Sequence, residues 1–136
     1  AEQMATAELL MQPAVIENYH KTMKTGLEAR LDLLHKGISD LERSGFPVKS
    51  IVPMGAIYLT AQFNLLGKKN PRGGVFTTNE EIRQYLLHEA QFGAVHFQAF
   101  GYEGNTGWFR LSVGAVSMQD IEAALPRVKA ALEKIK

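Results

Sequence analysis

Apolar residues recur at steps of three and four through the first third of the chain. Met4, Ala7, Leu10 and Met11 predict a short helix over residues 2–11, stopped by Gln12-Pro13. From Ala14 onward, Ile16, Tyr19, Met23, Leu27, Leu31, Leu34, Ile38 and Leu41 form one apolar stripe on a single long helix. Pro13 suits its first position, Gly45 suits the left-handed residue after its last turn, and Pro47 prevents it from resuming. About 30 residues at a rise of 1.5 Å reach roughly 45 Å. The rest of the chain is too small to cover that length, so the helix is expected to bridge to another domain.

Beyond Gly45 the pattern shortens. Residues 50–59 (SIVPMGAIYL) are rich in strand formers, but Pro53 and Gly55 interrupt them, which leaves a strand chiefly at Ala56–Thr60 and puts Lys49-Ser50 in a loop. Residues 64–77 hold Lys68, Lys69, Pro71, Gly73 and Gly74 and read as a mobile surface loop. Thr78 and Glu81 match a capping box for a helix running to about Gln91, with Ile82, Tyr85, Leu86 and Phe92 on its buried side and Gly93 ending it. A second short strand at Ala94–Phe97, a turn-rich connector at 101–107 and a third strand at Trp108–Val113 follow. Ser117 can cap a last helix whose stripe is Ile121, Ala124, Leu125, Val128, Leu132 and Ile135, and Pro126 should kink it or move its start. The order predicts an α+β fold: a long interdomain helix, then a small, mainly antiparallel three-stranded sheet with helices packed on one face.

Composition narrows the function classes. The 136 residues, 46% of them hydrophobic, suffice for one compact domain. Fifteen basic and 14 acidic side chains nearly cancel, so no overall field recruits nucleic acid or an anionic membrane. The absence of cysteine removes disulfides, thiolate metal sites and thiol nucleophiles, and agrees with a cytoplasmic protein. No apolar run approaches the ~20 residues of a membrane span. The opening, AEQMATAELL, lies within an amphipathic segment and lacks an initiator methionine, so an excised piece of a longer protein is expected.

Candidate chemistry is sparse. His20, His35, His88 and His96 are scattered along the chain with no ligand spacing, so no metal site is expected, and His88-Glu89 reads as a solvated pair. No serine stands in a nucleophile-elbow context, and residues 68–74 (KKNPRGG) lack the spacing of a phosphate-binding loop. The segment Trp108-Phe109-Arg110-Leu111-Ser112-Val113 is the exception. Strand alternation turns Phe109, Leu111 and Val113 one way and Trp108, Arg110 and Ser112 the other, which places an arginine mid-strand among large apolar residues. Its planar fork fits a carboxylate through two parallel hydrogen bonds. Spacing alone favours an internal Asp or Glu partner, or exposure at a sheet edge, over a ligand.

Several of these segments together resemble the small domain of fold-type I pyridoxal-phosphate (PLP) enzymes, above all the class I/II aminotransferases of the aspartate aminotransferase superfamily. Met54-Gly55-Ala56-Ile57-Tyr58-Leu59 is similar to the family's strand after the interdomain helix. Phe100-Gly101 followed by Arg110-Leu111-Ser112 is similar to its Phe-Gly turn and arginine strand, and residues 2–10 to the large-domain helix that follows the cofactor lysine. His96-Phe97 stands where the family commonly has Pro-Gly, which leaves the shape of that loop open.

The resemblance implies that residues 1–12 are a remnant of the large PLP-binding domain, 13–45 the interdomain helix and 46–136 the small C-terminal domain. It implies that Arg110 grips the α-carboxylate of an amino-acid substrate. Phe100 would lie on a loop near the substrate cleft, a position equally compatible with plain packing. The full-length enzyme would be a homodimer exchanging an amino group between an amino acid and a 2-oxo acid. The family's Ser-x-Ser-Lys cofactor motif is missing, so this segment alone should neither hold PLP covalently nor transaminate. A β-lyase, an α-oxoamine synthase or a cyclopropane-forming synthase shares the same small domain. A free-standing α+β regulatory or oligomerisation module is the alternative outside the superfamily.

Overall fold

The computed structural model describes residues 1–136. Helix α1 (Glu2–Leu10) buries none of its residues, and α2 (Pro13–Arg43) buries only Leu31, Leu34, Ile38 and Leu41. The long stripe is therefore covered over its C-terminal half alone, with Tyr19 63% and Met23 42% exposed. Pro13 occupies the helix start as the pattern predicts. At the other end Gly45 adopts φ 88°, its N–H donating to the Glu42 carbonyl while Phe46 N–H donates to that of Leu41. These two bonds make a Schellman closure, with Phe46 and Leu41 both packed into the core. Midway, Arg30 donates to the carbonyls of Val113 (3.0 Å) and Val116 (2.9 Å), tying α2 to the chain that leaves the sheet.

Four strands form one antiparallel sheet in the order β1-β2-β4-β3: β1 (Val48–Ser50), β2 (Tyr58–Phe63), β3 (Val95–His96) and β4 (Trp108–Ser112). The α+β class holds, but the count is four, because Lys49-Ser50 belongs to a strand and not to a loop. At three residues β1 is too short to show periodicity, and its pairing with Ala61–Phe63 is what defines it. The main strand starts two residues later and runs three further than Ala56–Thr60. Ala56 stands at φ 58° and Pro53 has no N–H, so residues 52–56 stay outside the ladder. The second strand keeps only Val95–His96, since Phe97–Phe100 curls into a 3₁₀ turn closed by Gly101 at φ 83°.

Leu59, Ala61 and Phe63 of β2 and Phe109 and Leu111 of β4 turn to one face and are buried. Phe63 meets Phe109 and Phe92 edge-on at 6.0 and 6.1 Å, contacts worth about 0.5–1.5 kcal/mol each beyond the area they bury. Helices α2 and α3 (Asn79–Ala90) pack on the sheet, and α4 (Met118–Glu133) packs against both of them. On α2, Gly37 lets α4 approach closely: a Cβ there would lie 2.3 Å from a Leu125 methyl. Thr78 with Glu81 and Ser117 with Asp120 both close reciprocal caps. Pro126 does not displace the start of α4, which begins directly after Ser117 and continues past the proline. The carbonyl of Glu122 that loses its helical donor lies on the exposed side, where water reaches it.

Two local expectations change. Gln91, not Gly93, closes α3 in the left-handed region, at φ 51°. A side chain there is strained where glycine is not, so Gln91→Gly is expected to raise stability by about 0.5–1 kcal/mol in urea titrations; a loss would show that the glutamine holds the turn. Residues 68–74 are also no free loop. Lys69 exchanges backbone hydrogen bonds with Lys136 (2.9 and 3.2 Å), and Asn70 Oδ1 accepts from the N–H groups of Arg72 and Gly74. No helix is long and apolar enough to cross a membrane.

Candidate functional site

The sheet face opposite the core carries Lys49, Tyr58, Thr60, Gln62, Trp108, Arg110 and Ser112, the alternate residues of three strands. Strand β4 lies between β2 and β3, so Arg110 faces Thr60 on one side and Val95 on the other. It rises from mid-sheet, which removes the sheet-edge reading of this arginine. Its guanidinium carbon sits 4.2 Å from the ring centre of Tyr58 and 3.9 Å from that of Phe100. Both rings therefore lie within cation–π distance of the guanidinium. Each stacking contact contributes about 0.5–2 kcal/mol, depending on how dry it is.

The internal-partner reading also fails. Arg43 pairs with Asp40, Arg72 with Glu89 and Arg83 with Glu80, while Arg30 and Arg127 donate to backbone carbonyls. Of the six arginines, Arg110 alone makes neither an ion pair nor a side-chain hydrogen bond. Its nitrogens are not sealed away either, because the sole fully buried side-chain nitrogen or oxygen without a partner is His96 Nδ1. The fork of Arg110 is thus half-buried and unpaired, and a carboxylate can meet such a group through two parallel hydrogen bonds.

Phe100, predicted by resemblance only, is thus brought onto Arg110. Tyr58, the second ring, was not singled out as a site residue. Its neighbourhood to Arg110 is diagonal across β2 and β4, and the register that creates it (Tyr58 opposite Ser112) is not visible in either segment alone. On the same sheet face, Thr60, Phe97, Tyr102, Thr106 and Trp108 line an uncharged depression of about 320 Å³. Lys49 Nζ lies 5.4 Å from the Trp108 ring.

The His96-Phe97 departure leads into the 3₁₀ turn, and His96 Nε2 lies 3.4 Å from Glu80 Oε2. Hydrogen bonds from Arg83 and then Gln84 hold the Glu80 carboxyl at about 2, well below its usual range. The four histidines stay apart: His35 Nδ1 meets Ser50 Oγ at 2.7 Å, and no three His, Asp or Glu side chains gather as metal ligands. Glu89 pairs with Lys134 (2.9 Å) and Arg72 (3.9 Å), not with His88.

The family model described as aminotransferase class I and II matches residues 1–128. Among solved structures, the aspartate aminotransferase of Rhizobium meliloti is 29% identical, with a TM-score of 0.69 over 81% of this chain and 26% of that one. The aromatic aminotransferase of Pyrococcus horikoshii is 25% identical, with a TM-score of 0.60 over 80% of this chain and 25% of that one. The alanine aminotransferase of Pyrococcus furiosus, 23% identical with a TM-score of 0.62 over 86% and 25%, shares the fold. The chain thus spans about a quarter of the length of the structures it resembles. No curated protein matches it.

Proposed function

This chain belongs to the aminotransferase class I and II family, and we propose that it forms the substrate-carboxylate-binding part of a PLP-dependent transaminase that moves an amino group between an amino acid and a 2-oxo acid. The observation that carries this reading is Arg110: a cation packed against the rings of Tyr58 and Phe100 and unmatched by any acid among residues 1–136. A guanidinium held this way costs little reorganisation when a carboxylate arrives. Its rotamers are already restricted by the two rings, while the fork stays accessible. Gripping the carboxylate with two in-plane bonds fixes the direction of the Cα substituents, which orients the amino group and the Cα–H for reaction.

PLP takes up the electrons of such reactions when bound, and needs a lysine for its aldehyde and an acid for its ring nitrogen. Residues 1–136 do not fit that need. The one lysine on a strand, Lys49, lies over Trp108 with no acidic partner. We therefore assign the cofactor lysine to a part of the protein outside these residues, and the chain by itself neither holds PLP covalently nor transaminates. Residues 1–12 then belong to the cofactor-binding domain, 13–45 bridge to it and 46–136 form the small domain. The absence of any buried residue before Leu31 supports that division, because the apolar residues of α1 and the first half of the α2 stripe lie uncovered.

The reading is tested with the full-length holoenzyme by comparing its best amino acid with the amine of the same skeleton lacking the carboxylate. A site built around an arginine fork should prefer the acid by at least ~100-fold in kcat/KM. Comparable rates for the two would remove the proposed role.

A further inference from the structure

We propose that Asn79 is a positioning residue for this site, holding Phe100 against Arg110 through a closed ring of side-chain hydrogen bonds; the proposal rests on reading Arg110 as the carboxylate clamp. Asn79 is the first residue of α3 and the only polar side chain of the chain that is completely buried. A buried amide is retained at little cost only when its donors and acceptors are met. Here Nδ2 donates to Gln98 Oε1 (2.8 Å), Oδ1 accepts from the Gly107 N–H (2.8 Å), and the backbone N–H of Asn79 donates to Asn105 Oδ1 (2.8 Å). Gln98 Nε2 in turn donates to Asn105 Oδ1 at 2.9 Å and closes the ring.

The position of the ring gives it its consequence. Gln98 lies in the 3₁₀ turn two residues before Phe100, and Gly107 lies three residues before Arg110, so one buried amide grips both ends of the connector between the two stacked groups. Outside the ring the connector is held only near its ends, where Gly101 and Tyr102 N–H donate to the Gln98 and Phe97 carbonyls, Gln62 Nε2 donates to the Thr106 carbonyl and Phe63 N–H donates to that of Gly107. Residues 101–105 are exposed, and Gly101, Gly104 and Gly107 all stand at positive φ. A glycine-rich span of this kind loses much chain entropy on ordering, so a fixed ring placement needs an anchor outside the span. The anchor is the start of a capped helix, held by Thr78 and Glu81, which is among the more rigid places available. Asn79 touches no substrate in this arrangement. It acts through Phe100, which packs against the Arg110 guanidinium and limits where the fork is presented.

The test uses full-length holoenzyme carrying Asn79→Ala, Gln98→Ala or Asn105→Ala, with KM and kcat for the best amino acid and the competitive Ki of propionate, a carboxylate with no amino group to react. Each variant is expected to raise KM and Ki together, roughly tenfold, with kcat changed by less than about twofold. In a Phe100→Ala background, which already lacks the stacked ring, the same changes should add almost nothing. Asn105 is exposed, so Asn105→Ala opens the ring without touching the core and carries the test if Asn79→Ala does not fold. Unchanged KM and Ki in Asn105→Ala and Gln98→Ala, with Arg110→Ala still severely impaired, would overturn the positioning role alone. Full additivity with Phe100→Ala would overturn it too. Unchanged KM and Ki in Arg110→Ala itself would overturn both this role and the clamp on which it rests.

Discussion

Replacing Arg110 with alanine in the full-length enzyme is expected to lower kcat/KM for the amino acid by about 10²–10³-fold, equivalent to about 3–4 kcal/mol, while PLP affinity changes by less than about twofold. The size follows from what the residue offers. Two charge-assisted hydrogen bonds to a carboxylate in a partly dry site are lost, and the carboxylate keeps its desolvation cost with no counter-ion. Arg110→Lys keeps the charge but not the planar fork, and a lysine stacks poorly against Tyr58 and Phe100. It should recover only part of the loss. Steady-state kinetics with a parallel cofactor titration separates the possibilities: equal losses in substrate and cofactor binding would mean that the arginine supports the fold and not the substrate.

The second large effect is on stability. Gly107→Ala should destabilise the protein by about 2–4 kcal/mol in urea denaturation. Gly107 has φ 71°, and a Cβ built on it would lie 2.6 Å from the Phe63 carbonyl oxygen, a backbone atom that cannot swing aside. Its own carbonyl accepts from Phe63 N–H at 2.8 Å, so relieving the clash loosens the end of β2 next to β4. The Gly107 N–H is also the donor to Asn79, so KM should rise along with the loss of stability. Gly73→Ala is the matched comparison. It shares a positive φ of 88° but meets nothing within 4 Å, and should cost only the strain of the left-handed region, about 1–2 kcal/mol. Similar losses at both positions would show that conformation alone, and not the contact with Phe63, makes Gly107 necessary.

The candidate site was legible in part. Strand alternation put Arg110 on the face opposite Phe109 and Leu111, and the structure keeps that division. Whether an acid of its own chain answers the arginine was not legible, because any of the 14 acidic residues could have been brought to it by folding. Tyr58 and Phe100 lie in different segments, and only the β2–β4 register and the 3₁₀ turn bring both onto one guanidinium. The Asn79 ring was invisible for the same reason. Its members are single Asn and Gln residues with no common spacing, joined across 26 and 28 positions of the chain.

The sequence by itself determined the features that depend on neighbours a few residues apart: the extent of α2 with its proline start and Gly45 stop, the caps at Thr78 and Ser117, the apolar faces of α2, α3 and α4, and the inward turn of Phe109 and Leu111. Such features arise from local sterics, periodicity and capping, whose physics is contained within one or two turns. Only the tertiary structure decided that Lys49-Ser50 forms a fourth strand, that the second strand stops after His96, and that Arg110 lies in mid-sheet against two rings with its fork unpaired. Those outcomes depend on hydrogen bonds and packing between segments far apart in the chain, where burial and pairing outweigh local propensity.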